Sequence, residues 1–74
     1  MNDIQMALYA YISKDRGQST YTTIYSEVAT QLGIDVLEVR DTLYAMVHVD
    51  NIIEEYSIGQ SIYGFTLWRY CIKR

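Results

Sequence analysis

Gly33 constrains this chain more than any other residue, because it interrupts two apolar stripes that share one helical period. Before it, Val28, Ala29 and Leu32 repeat at helical spacing; after it, Val39, Leu43, Met46 and Val47 follow at i, i+4, i+7 and i+8. A break inside so regular a pattern predicts two short helices joined by a tight turn, since glycine takes a positive φ at little steric cost. The small side chain of Ala29 lets the later helix cross the earlier one closely. Ile34 then points back to the core, and Asp35 is the expected cap of the later helix.

Upstream, Ile4, Ala7, Leu8, Tyr11 and Ile12 share one face of a first helix, with Asn2 or Asp3 as its cap. That helix should end near Lys14, where Asp15-Arg16-Gly17-Gln18-Ser19 supplies turn residues. Ser19 to Thr22 is β-prone and predicts a short edge strand, after which Thr22 or Thr23 caps a helix running to about Leu32. The helix after Gly33 should end near Asp50, with Asn51 as its left-handed stop. A hairpin follows: Ile52 to Ser57, a turn at Ile58-Gly59-Gln60, then Ser61 to about Trp68. In the returning strand Ile62 and Gly64 alternate with Tyr63, Phe65 and Leu67. The expected class is α+β, in the order helix, strand, helix, helix, strand, strand. Seventy-four residues make a single domain, 1–74, near the lower size limit for an autonomous core.

The segments EVATQLGI, VRDTLYAMVHVDNII and EEYSIGQSIYGFTL resemble, in that order, the second helix and turn, the third helix and exit, and the wing of the winged helix-turn-helix family. The resemblance spans nearly the whole chain and implies three helices with a small antiparallel β-hairpin wing. At the exit of helix three the family often has a glycine, where Asn51 stands here. In DNA-binding members the third helix, here about 35–50, enters the major groove and the wing lies on the backbone. Carried over position by position, the groove-facing residues are Val36, Leu37, Arg40, Asp41 and Tyr44, with Gln60 and Ser61 at the wing tip and Lys14 and Arg16 as further cations. Arg40 suits guanine O6 and N7 through its planar fork, and Tyr44 can donate to a phosphate. This reading makes the chain a small transcriptional regulator bound to double-stranded DNA.

Charge supports a second reading. Nine Asp/Glu face six Lys/Arg, a net charge of −3, whereas nucleic-acid binders are usually basic on at least one face. Asp35, Glu38 and Asp41 surround Arg40 on its own helix, Glu54 and Glu55 lie on the first wing strand, and the tip carries no cation. The other cations are Lys14, Arg16, Arg69, Lys73 and Arg74. Winged helices also serve as protein-interaction modules. The alternative is therefore an acidic adaptor or inhibitor of a basic or nucleic-acid-binding protein, meeting it through Glu38, Asp41, Tyr44, Trp68 and Tyr70. The well-formed helical pair ranks DNA slightly ahead.

Val36 and Leu37 would be wasteful on a solvent-facing helix start, so at least one should pack inside or meet a partner. The tail LWRYCIKR reads as a strand end whose Trp68 and Tyr70 cover the core edge while Arg69 and Lys73 reach outward; a dimer seam or a phosphate-contacting arm are the minority readings. Eight tyrosines either fill the edges of a thin core or form a partner surface, with homodimerisation the simplest case.

No catalytic set is visible. The four glycines are scattered rather than grouped into a phosphate loop, and the lone cysteine and histidine fit no nucleophile motif. Glu54 and Glu55 are adjacent on a strand and face opposite sides. His48, one turn past Tyr44, lacks the neighbours of a metal site. No enzyme, metal or cofactor is expected. Cys71 alone cannot form an intramolecular disulfide, which suits a reducing cytoplasm. No apolar run approaches the roughly 20 residues of a membrane span, and the first residues read as part of the fold rather than a signal peptide.

Overall fold

A computed structural model describes residues 1–73. Three helices, α1 (Asp3–Asp15), α2 (Tyr21–Leu32) and α3 (Val36–His48), precede an antiparallel hairpin of β1 (Ile53–Gln60) and β2 (Thr66–Ile72). The order is helix, helix, helix, strand, strand, an α+β arrangement compatible with a winged helix. Arg74, counted above among the tail cations, lies outside the described residues.

Each helix end has an identifiable cause. Asn2 Oδ1 accepts from the Gln5 amide while Gln5 Oε1 accepts from the Asn2 amide, both at 2.9 Å, a reciprocal capping box that starts α1. Arg16 and Gly17 leave α1 with φ of 55° and 75°. Gly33 stops α2 at φ 66°, and the Ile34 amide reaches back to the Ala29 carbonyl at 3.1 Å. Asp35 Oδ1 then caps α3 by accepting from the Leu37 amide at 2.8 Å. Asn51, at φ 55°, turns the chain out of α3 so that the Ile52 amide meets the Met46 carbonyl at 3.0 Å.

The expected stripes supply most of the helical core, joined by Ile24, which they did not include, while Ile4, Ala7 and Tyr11 are only partly buried. Leu8 and Ile12 of α1, Ile24, Val28 and Ala29 of α2, and Val39, Leu43, Met46 and Val47 of α3 are buried together with Ile53 and Tyr70 of the hairpin. Leu32 and Ile34 pack against this cluster on either side of the glycine turn.

Three local expectations are corrected. The edge strand at Ser19–Thr22 is a single bridge, Thr20 to Arg69, and α2 begins at Tyr21 with Thr20, not Thr22 or Thr23, at its N-cap. Burial of Ile24 and the tilted contact of Tyr21 with Tyr25 (ring centroids 5.7 Å apart) draw the β-prone Tyr-Thr-Thr into the helix. The hairpin turn lies at 61–65 rather than 58–60. Ser57 pairs with Trp68 and Gln60 with Thr66, so the register slips by one residue around Gly59. Ser61 organises the turn: its amide donates to the Phe65 carbonyl at 2.8 Å, and its hydroxyl accepts from the Phe65 amide at 3.2 Å. Finally, Arg69 does not simply reach outward, because its Nε is buried without a hydrogen-bond partner among the described residues.

Gly17 and Gly33 both hold positive φ, but they differ in surroundings. A Cβ at Gly33 would meet nothing within 4 Å, whereas one at Gly17 would overlap Tyr56 Oη. Gly33→Ala should therefore destabilise by about 1–2 kcal/mol, the conformational cost alone. Gly17→Ala should cost more, and adding Tyr56→Ala should recover the excess in a denaturant-unfolding double-mutant cycle. Equal costs at both glycines would show that Tyr56 does not fix this approach.

Candidate functional site

The hairpin has two faces. Ile53, Glu55 and Ser57 pair with Ile72, Tyr70 and Trp68 on one, which turns toward α2 and α3; Glu54 and Tyr56 pair with Cys71 and Arg69 on the other. Glu54 and Glu55 thus diverge, as strand alternation requires. Between the first face and the helices opens a cleft of about 540 Å³. Tyr25 enters from α2, Arg40, Asp41 and Tyr44 from α3, Glu55 from β1, and Trp68 and Tyr70 from β2.

This cleft gathers residues assigned above to both readings: Arg40 and Tyr44 from the DNA set, and Asp41, Tyr44, Trp68 and Tyr70 from the partner set. Leu37 is exposed at the start of the same helix (52 % accessible), as is Val36, so neither packs inside. Glu38 is exposed too, and its carbonyl accepts from the Thr42 hydroxyl. Lys14 and Arg16 lie elsewhere. Lys14 borders a groove between α1 and α2 with Asp15 and Gln31. Arg16 shares a cleft with Lys73, Glu54 and Cys71 beside the opposite hairpin face. Gln60 ends β1 and Ser61 holds the turn, so the tip itself is Ile62-Tyr63-Gly64.

An ion pair and a histidine–carboxylate contact border the cleft. Arg40 Nε and Nη2 both donate to Asp41 Oδ1, at 3.1 and 3.0 Å. His48 Nε2 lies 3.0 Å from Glu55 Oε1, and the His48 ring leans against Tyr44 at a tilt of 42° with centroids 4.4 Å apart. On the cleft wall, burial raises the Tyr70 hydroxyl far above its ordinary pKa, and the nearby Tyr25 and Glu55 add to the rise. Burial also raises Tyr25, against smaller lowering by Tyr70 and Arg40. Both phenols are therefore neutral donors throughout the physiological range.

Tyr25 was not singled out in the sequence, and Glu55 was named only as an acid of the first wing strand, although both were within reach of its periodicity. Tyr25 stands three residues before the core residue Val28, and Glu55 two after the core residue Ile53. The exposed tip group of Ile62, Tyr63 and Phe65 was also missed, because those residues were read as a strand with one buried face. Ile62 is 92 % accessible.

Among the described residues, no group of three or more His, Cys, Asp or Glu is placed to hold a metal ion, and no helix is long and apolar enough to cross a membrane. Cys71 is half-buried, with Sγ 3.8 Å from Glu54 Oε2. Comparisons with protein-family models, curated proteins and solved structures find no match.

A phenol that stays neutral in the folded state but ionises when unfolded makes stability fall as pH rises. The Tyr70 contribution is complete below about pH 10, the unfolded value, and is lost above it at about 1.4 kcal/mol per pH unit. Tyr70→Phe should flatten the decline of unfolding free energy between about pH 10 and 11, measured by urea titration. An unchanged slope would show that Tyr70 ionises freely in the fold.

Proposed function

We propose that this chain is a winged-helix-type interaction module whose α3–hairpin face binds a basic protein segment, acting as an adaptor or inhibitor rather than an enzyme. One observation carries the reading: the face groups exposed apolar side chains with carboxylates, and its one guanidinium among the described residues is already engaged by Asp41. Leu37, Val36 and Tyr44 offer apolar contact, while Asp41 and Glu55 line the cleft and Glu38 stands one turn before Asp41. Phosphate approaching this surface meets like charge; a cationic segment meets opposite charge. A second copy of the chain is the simplest cover for the apolar wing tip, which would make the module a homodimer.

Double-stranded DNA is the second reading, and the exposure of Arg40 and Tyr44 on the outer face of α3 favours it. Both ends of the Arg40–Asp41 pair are more than half accessible, and such exposed pairs are worth about 0–1 kcal/mol. A guanine edge could therefore capture the guanidinium. In that case α3 lies in the major groove, and the protein regulates transcription.

A photo-crosslinker placed at Leu37 should capture a protein, and the double substitution Glu38→Lys/Asp41→Lys should abolish the product. Random-sequence duplex titrated at two salt concentrations should show no salt-sensitive binding. Duplex binding that weakens steeply with salt, and by about 1–3 kcal/mol in Arg40→Ala, would overturn the protein reading in favour of DNA. Light scattering at twice the monomer mass would establish the homodimer; the monomer mass would exclude it.

A further inference from the structure

We infer that the cleft between α3 and the hairpin is a subsite for a single guanidinium side chain, an arginine presented by the partner. The inference rests on the protein-binding reading above and names the chemistry of its anchor.

Aromatic side chains enter the cleft from three elements: Tyr25 from α2, Tyr44 from α3, and Trp68 and Tyr70 from β2. A cation over aromatic faces is attracted by the ring quadrupole, most strongly by tryptophan. Two carboxylates stand in the same space, against one resident guanidinium. Each is engaged through one oxygen only: Asp41 Oδ1 by Arg40, and Glu55 Oε1 by His48. Asp41 Oδ2 and Glu55 Oε2 make no hydrogen bond among the described residues. The Glu55 side chain is only 23 % accessible, so solvent screens its charge less than that of a surface carboxylate.

Arginine fits this lining better than lysine. Its planar group stacks on rings and donates in a fork, so it can engage carboxylate oxygens and aromatic faces together. Its weaker hydration also lowers the cost of leaving water. Arg40 already illustrates the chemistry, since it lines the cleft and donates twice to Asp41. An incoming guanidinium therefore competes with Arg40 for Asp41 and is repelled by its charge. That competition separates this subsite from a DNA reader. Removing Arg40 would weaken duplex recognition but should strengthen capture of a cation.

Trp68 is the single tryptophan of the chain and lines the cleft, so its fluorescence reports occupancy directly. The probe is the blocked tripeptide Gly-Arg-Gly, with Gly-citrulline-Gly as its neutral isostere. A saturable change is expected for the arginine peptide only, with a dissociation constant on the order of millimolar for so small a ligand. Tyr44→Ala should weaken it by about threefold to thirtyfold, the range of one cation–ring contact. Glu55→Gln and the exposed Asp41→Asn should each weaken it as well, and Arg40→Ala should tighten it. The inference is overturned by equal responses to both peptides, by no response, or by weaker binding in Arg40→Ala. If the peptide gives no response while the Leu37 crosslink persists and depends on Glu38 and Asp41, the guanidinium subsite alone falls. If that crosslink is lost too, the protein-binding reading falls with it.

Discussion

Burial of Ile53 and Tyr70 against the three helices is the contact on which the rest of the molecule depends. A two-stranded hairpin is marginal in water by itself, because it has no sheet partner to cover either face. Here one strand contributes Ile53 and the other Tyr70, and both side chains enter the cluster of Leu8, Ile24, Val28, Leu43 and Met46. Their alternation fixes what else shares that face. Two residues on from Ile53 stands Glu55, and two before Tyr70 stands Trp68. The packing that holds the hairpin therefore also lines the cleft with a carboxylate and an indole.

The same logic explains which parts were legible in the sequence. Helix faces were readable because Gly33 interrupts a strict period: Val28, Ala29, Val39, Leu43, Met46 and Val47 of the two stripes are buried, with Leu32 packed against them. The ends of α1 and α3 were readable because Asn2 and Asp35 each offer a side-chain oxygen to an amide. The hairpin turn was not, since Gly59 and Gly64 both carry a positive φ and only one marks the turn. Gly59 sits where the register slips, while Ser61 gathers the backbone of the following residues, a many-centred arrangement that pair propensities do not encode. At Ser19–Thr22, local β preference yielded to the helix because Ile24 and Val28 had to reach the core.

For the candidate site, side-chain types were legible but their assembly was not. Arg40, Asp41 and Tyr44 follow from one helical face, whereas their meeting with Trp68 and Tyr70 depends on how the hairpin docks. Charge acquires meaning only through that docking. The chain is mildly acidic as a whole, and the balance of charge differs between its two clefts. Arg16 and Lys73 line a cleft with one carboxylate, Glu54, beside one hairpin face, and Asp41 and Glu55 line the cleft on the other with one guanidinium, Arg40. The helix a groove-binding protein would present is thus the one around which the carboxylates gather.

Tyrosine use points the same way. Core filling accounts for half of the eight tyrosines: Tyr70 is buried, and Tyr11, Tyr21 and Tyr25 pack partly against its neighbours. Tyr44 and Tyr63 are 64 % and 80 % accessible, far more than a ring needs to cover a core edge. Exposed rings gain little from folding, since their apolar surface stays in water in both states. On the proposed association they would contribute more, because tyrosine supplies broad contact area with few rotatable bonds to immobilise. Tyr44 lies on α3 beside Arg40 and Asp41, and Tyr63 at the hairpin tip with Ile62 and Phe65. Under the proposed protein-binding reading, a partner that entered the cleft and reached along the hairpin would remove both rings from water.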